Sequence, residues 1–256
     1  MKNIIDFTKK ILLIIINFIK THIIPIVVVL LLTIISIICI LTYLYKPYKA
    51  DKDFSKINLE GYDKLMIVAH PDDEMLWGGA HLLEDNYLVV CITCGGDKVR
   101  VNEFKAVMNA TNDRYIMLNY PDKTNGERDN WDKVYDDITK DINEIIDLKS
   151  WETVVTHNPQ GEYGNIHHKM TNAIVTELME NKDKTGKLYY FGRYHSKKKI
   201  NEFYSEMTPI EDIYFKQKRQ ILGMYTSQYF IQTMFDHMYG YEDWENYDSW
   251  KGSELE

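Results

Sequence analysis

From Ile23 to Tyr45 the chain runs without a charged residue and is dominated by Ile, Val and Leu. At about 1.5 Å per residue such a run crosses a bilayer as one helix. It ends in Thr42-Tyr43-Leu44-Tyr45-Lys46, with no small-residue cleavage pattern, so the reading is a retained transmembrane helix over 23–45 rather than a signal peptide. Tyr43, Tyr45 and Tyr48 with Lys46 and Lys49 form the expected interfacial belt. Upstream, 1–22 is a basic and apolar segment whose run Ile11 to Ile19 is too short to span and lies at the interface or extends the helix.

Beyond a charged linker over 46–60 the pattern changes to short apolar runs alternating with helical periodicity, expected to form one domain over 61–256. Strands are expected at Lys64–Ala69, Leu88–Thr93, Tyr115–Leu118, Thr153–Thr156 and Leu188–Phe191. Between them helices are expected at Glu74–Leu83, Val101–Ala110, Trp131–Ile146 and His168–Met179, with an amphipathic stretch over Ile210–Leu222. The Trp131–Ile146 helix carries the stripe Val134, Ile138, Ile142, Ile145 and Ile146. Strands alternating with helices imply an α/β fold: a Rossmann-like, mainly parallel sheet with helices on both faces. In such sheets the site lies beyond the carboxyl ends of the strands.

Composition narrows the function. With 256 residues and 45% apolar composition the chain can bury one sizeable core, and its formal charge of −8 argues against a nucleic-acid partner. The run Lys197, Lys198, Lys199 reads as a solvated loop. Three cysteines give no disulfide framework, and Cys91 and Cys94, three apart on a strand, point to opposite faces. Lysines tie across the hydrophobic run: Lys2, Lys9, Lys10 and Lys20 before it, Lys46, Lys49, Lys52 and Lys56 after it. A short basic N-terminus then favours N-inside, an extracytoplasmic domain and a single-pass membrane protein. The aromatic tail, from Tyr225 to Trp250, reads as packing, and His195 and His237 as structural.

The chemistry collects at two strand ends. The first strand runs into Ala69-His70-Pro71-Asp72-Asp73-Glu74, one imidazole and three carboxylates. Carboxylates alone would read as a helix start. A histidine beside them points to a hydrolytic zinc site, which takes three N or O ligands and keeps a water. The fourth strand runs into His157-Asn158-Pro159-Gln160-Gly161-Glu162-Tyr163-Gly164-Asn165-Ile166-His167-His168, a second source of histidine that completes a three-ligand set.

Ala69 to Glu74 (A-H-P-D-D-E), followed by that glycine-containing loop, resembles the PIG-L/LmbE family of zinc N-deacetylases over Asp63 to Tyr194. The resemblance implies Zn2+ held by His70, Asp73 and His168, and Asp72 as the general base. It also implies that Arg100 and Glu103 (R-x-x-E) and Asp97 lie against substrate with His167, and that Tyr163 helps close the site. The expected reaction is removal of an acetyl group from an N-acetylated amino sugar of N-acetylglucosamine type by metal-activated water, near the bilayer the N-terminal helix enters. The loop wording resembles bacterial members.

One position departs from the pattern. The family loop reads G-H-x-x-H, its first histidine polarising the amide carbonyl, and here that position is Asn165. Asparagine donates a hydrogen bond but carries no charge, a loss worth about 3–4 kcal/mol of transition-state stabilisation. His167, Tyr163 or the zinc compensates, or activity is low. The alternatives are a weak or inactive sugar-binding module on the same fold and a metal-free carboxylate-pair glycosidase. Phosphoryl transfer lacks a P-loop signature.

Overall fold

The computed structural model describes residues 2–44 and 53–253, with side chains over 7–40 and 53–251. It forms two units, Met1–Lys46 and Pro47–Glu256. In the first, α1 (Lys2–Phe18) passes through a π-helical turn at Ile19–Ile23 into α2 (Ile24–Leu44). The wide turn has a local cause: Pro25 has no N–H to give and its ring crowds the carbonyl four residues back. The preceding turn opens, and Ile24 N donates to Ile19 O instead. The expected boundary at 22/23 is therefore a change of helix type, and the apolar run upstream extends the helix. Phe7–Ile40 spans 34 residues and contains an 18-residue stretch of mean hydropathy 3.3, long and apolar enough to cross a membrane. The belt at Tyr43, Tyr45, Lys46, Tyr48 and Lys49, and much of the linker, fall outside the described residues and side chains.

The second unit is an α/β domain. Its first half contains β1 (Lys64–Val68), α3 (Asp73–Glu84), β2 (Tyr87–Thr93), α4 (Lys98–Thr111) and β3 (Arg114–Tyr120). A small hairpin, β4 (Lys123–Thr124) and β5 (Glu127–Arg128), precedes α5 (Tyr135–Ile146), β6 (Thr153–Thr156), α6 (Ile166–Asn181) and β7 (Leu188–Tyr190). The chain closes with α7 (Asp212–Leu222), α8 (Tyr229–Phe235), β8 (Glu245–Asn246) and α9 (Tyr247–Ser253). Six strands pair in the order β3-β2-β1-β6-β7-β8, all parallel except β8, which runs antiparallel to β7. β1 is the centre of the sheet, with successive strands added on either side, so the crevice between the ends of β1 and β6 is the topological switch point.

Alternation along the strands feeds two cores. Leu65, Ile67, Leu88 and Val90 face α5 and α6 through Ile138, Ile142, Ile145 and Ile174. Met66, Val68, Val89 and Cys91 face the other layer, with Met75, Phe104 and Leu222 from α3, α4 and α7. Burial on both faces explains why the strands read as unbroken apolar runs. One expected boundary shifts: α5 begins at Tyr135, not Trp131, because Trp131 has φ 57°, outside helical space, and its indole N–H donates to Pro121 O at 2.7 Å. The packing role expected of the aromatic tail is seen for Tyr225, Phe235, Tyr239 and Trp250, whereas Tyr229 and Phe230 stay exposed. Cys91 is buried and Cys94 half-buried, both free thiols.

Candidate active site

β1 delivers its last residues into a strained turn. Asp72 has φ 126°, a conformation L-residues rarely adopt, and it directly precedes α3. The turn is held from several sides: His70 N donates to Asp73 Oδ2 at 2.8 Å and Asp72 N to Glu74 Oε2 at 3.0 Å. Arg100, from the first turn of α4, donates to Pro71 O and lies 3.6 Å from the Asp72 carboxylate. β6 delivers the second loop through Gly161, at φ 66°, where a Cβ would meet the Asn165 carbonyl at 2.5 Å; only glycine fits this close approach.

These turns bring three ligand atoms together. His70 Nδ1 lies 3.1 Å from Asp73 Oδ2 and 3.3 Å from His168 Nε2, and His168 Nε2 lies 3.2 Å from Asp73 Oδ1. All three residues are buried. Two imidazole nitrogens and a carboxylate are the donor set of a hydrolytic zinc site, so the residues fit the metal the motif implies. Outer partners fix the rings, as in metal sites generally. Glu162 accepts from His168 Nδ1 and, at 3.0 Å, from His157 Nδ1, while His157 Nε2 accepts from Ala69 N at 3.0 Å. Burial opposes charge on Glu162, but the two imidazoles outweigh it and bring the carboxyl down to about 2. His70 Nε2 faces His167 Nδ1 at 3.0 Å and Asp122 at 3.4 Å.

Asp72 and Asp73 are held apart in acidity. Burial, then the neighbouring Asp73 charge, pushes Asp72 up. Asp73 is held well below the usual carboxylate range, its burial outweighed by His168 and His70. Asp72 Oδ2 is buried with no hydrogen-bond partner. Neighbouring carboxylates pushed in opposite directions are the arrangement a ligand and a base require.

A cleft of about 480 Å3 opens over this cluster. Of the residues named from sequence, His70, Asp72, Asp73, Asp97, Arg100, Tyr163 and Asn165 line it. Asp97 also caps α4, accepting from Val99 N and Arg100 N. Asn165 caps α6: its Oδ1 accepts from His167 N at 2.9 Å and its Nδ2 donates to the Tyr163 hydroxyl at 3.0 Å. Two expected substrate contacts lie elsewhere. Glu103 accepts from Thr226 Oγ1, Ser227 N and Ser227 Oγ, tying α4 to the segment before α8. His167 is buried behind His70, stacked on Trp131.

Several contributors had no role from sequence: Glu162, His157, Asp122 and Arg128. Glu162 and His157 belong to the second motif. Asp122 follows Pro121 at the end of β3, and Arg128 comes from the β4–β5 hairpin, closed by Asn125-Gly126 at φ 55° and 87°, a common hairpin-turn pair. A larger hollow of about 570 Å3, lined by His81, Trp244 and residues that begin the strands, is at the opposite end of the sheet and holds none of the metal-ligand clusters found among the described residues.

Comparison with known proteins agrees with the motifs. Residues 65–179 match the PIG-L model, described as GlcNAc-PI de-N-acetylase. Residues 65–179 are a PIG-L region. PIG-L enzymes are metal-dependent hydrolases acting on C–N bonds. An uncharacterized protein of Acanthamoeba polyphaga mimivirus is 29% identical over 180 residues, 64% of this chain and 75% of that one. The fold is shared with the A40926 pseudoaglycone deacetylase (TM-score 0.52, 16% identity, 68% of this chain and 85% of that one). It is also shared with the N,N'-diacetylchitobiose deacetylase of Pyrococcus horikoshii (TM-score 0.51, 14% identity, 73% and 81%).

Proposed function

We propose that this PIG-L protein is a membrane-anchored, zinc-dependent hydrolase that removes the acetyl group from an N-acetylated amino sugar of N-acetylglucosamine type. The observation that carries this reading is the convergence of His70 Nδ1, Asp73 and His168 Nε2 beneath an open cleft, with an Asp72 oxygen that accepts no hydrogen bond beside them. His70, Asp73 and His168 hold the metal. Zinc, when bound, polarises a carbonyl and makes water acidic enough to supply hydroxide near neutral pH. Asp72 takes the proton from the attacking water and returns it to the departing amine, a shuttle its raised proton affinity suits. Arg100 keeps that carboxylate in place through Pro71 O, and Tyr163 and Asn165 close one wall of the cleft.

The helix over 23–45 is the proposed single span, followed by a linker over 46–60 and a catalytic domain over 61–256 on the extracytoplasmic side. Acetate release from a panel of N-acetylglucosamine derivatives, with zinc and with chelator, tests the activity. Release that stops on chelation supports it; zinc-loaded protein that releases nothing overturns it. One observation favours a second reading, a sugar-binding module: both polar groups of Asn165 are already engaged, so the residue replacing the family histidine offers only the second, uncharged N–H of its amide.

A further inference from the structure

The deacetylase reading leaves the amide oxygen without the charged donor that a histidine at 165 would supply, and Arg100, the cation on the α4 side, is held by Pro71 O and the Asp72 carboxylate. Asn165 is committed to His167 N and Tyr163. His167 is walled off: its ring stacks on Trp131 with centroids 4.2 Å apart, and its Nε2 donates to Asp129 O at 2.7 Å. Neither replaces the missing imidazole. A permanent cation does reach the cleft from the hairpin opposite. Arg128 lines it, with a side chain 40% exposed, and its Nη1 lies 2.8 Å from His70 Nε2, on the same ring whose Nδ1 faces Asp73 and His168. Nη1 also bonds Asp122 Oδ1, which pins the arm at the cleft rim, while Nε and Nη2 make no hydrogen bond or ion pair among the described residues.

We infer that Arg128 is the cationic donor to the amide oxygen in this cleft, a catalytic residue supplied by the β4–β5 hairpin in place of the histidine absent at 165. The inference rests on the deacetylase reading. Donor and acceptor roles around His70 support it. Because His167 gives its Nε2–H to Asp129 O, its Nδ1 accepts, and the facing His70 Nε2 is the donor. A His70 that gives its Nε2–H to His167 cannot also accept from Arg128. The guanidinium then keeps Asp122 and turns its remaining N–H groups on the cleft. Five donors in a planar fork allow one edge to stay paired while the other binds an oxyanion.

The test compares wild type, Arg128→Ala, Arg128→Lys and Arg128→Ala with Asn165→His. Arg128→Ala is expected to lower kcat for acetate release about 100-fold or more with KM within about threefold, since losing one oxyanion donor acts on the transition state. Arg128→Lys falls between, and Asn165→His in the Arg128→Ala background recovers at least about tenfold by restoring a charged donor. Zinc content should match wild type in all variants, and Tm in the two single Arg128 variants; Asn165→His also removes the α6 cap and lowers Tm somewhat. A second readout needs no turnover: acetate titrated calorimetrically into zinc-loaded protein should bind about tenfold more weakly to Arg128→Ala. Unchanged kcat in Arg128→Ala overturns the inference. If wild type releases no acetate from any substrate, the deacetylase reading fails by itself, and the titration still judges Arg128: equal affinity in the two proteins, or no heat from either, overturns it.

Discussion

His167 lies flat on Trp131, the two rings 8° from parallel, and this stack sets the edge that His167 presents to His70. With Nε2 on the Asp129 carbonyl, Nδ1 is left to receive the outer N–H of His70, which leaves the inner nitrogen of His70 free as a ligand. Removing His167 should therefore weaken the metal without touching a ligand. His167→Ala is expected to lower zinc affinity about 10–100-fold, the usual effect of losing an outer partner, as read by competition with a chromophoric chelator. Affinity equal to wild type would show that Asp122 alone orients His70.

Asp72→Asn separates base from scaffold. Asparagine tolerates positive φ and preserves the shape of the turn, but it cannot accept a proton. Acetate release should fall about 100- to 10,000-fold while zinc binding stays within about threefold. Full activity in Asp72→Asn would assign the proton transfer to another group.

Lys218 on α7 pairs at 2.6 Å with Glu242, in the segment before β8, both side chains fully buried, and the pair holds α3 between them. Glu242 also accepts from Ala80 N, and Lys218 donates to Leu76 O. Lys218→Met leaves the carboxylate buried without its cation and should cost about 3–5 kcal/mol, seen as a lowered urea midpoint. Lys218→Met with Glu242→Gln should recover part of that loss. Burial opposes charge on Glu242, but Lys218 outweighs it and brings the carboxyl from 4.5 to about 2. The folded value lies below the unfolded one, so the stabilisation is present above about pH 4.5 and lost as pH falls through about 2.

Asp113 works in the opposite sense. Burial lifts it from 3.8 to about 7, only partly offset by its hydrogen bonds, including Tyr87 N at 2.7 Å. The folded chain holds this proton more tightly than the unfolded chain, so stability falls as pH rises from about 4 to 7. Asp113→Asn keeps an acceptor for Tyr87 and removes the titration. Its Tm relative to wild type should climb between pH 5 and pH 8, each pKa unit being worth about 1.4 kcal/mol. A constant difference across that range would rule out Asp113 as the source.

Much of this was legible in the chain because parallel strands buried on both faces leave unbroken apolar runs, and Thr153–Thr156 is found where it was expected. The residues proposed to hold the metal were legible because His70 and Asp73 come just after β1, while His168 opens α6 beyond the loop that follows β6. What escaped was chemistry brought in from a distance. Arg128 lies 58 residues from His70 and reaches it through a hairpin of two-residue strands, too short for period-2 alternation to register; Asn125-Gly126 was its sole local sign. His167 resembled a substrate contact because it adjoins a ligand, yet successive residues on a helix diverge by about 100°. Glu103 looked like a cleft residue because its partners, Thr226 and Ser227, lie more than 120 residues further on.

Those late partners give the domain an order of assembly. Every ligand atom has been synthesised once the ribosome passes His168, and the family match ends at 179. Glu74, beside the ligands and buried, must still wait for the Tyr225 hydroxyl, and Glu103 for Thr226 and Ser227. A nascent chain halted between those points holds all three proposed metal ligands next to two carboxylates whose partners do not yet exist. The proposed metal capture can therefore precede closure of the cleft wall, and the segment from Tyr225 to Ser227 acts as the latch on it.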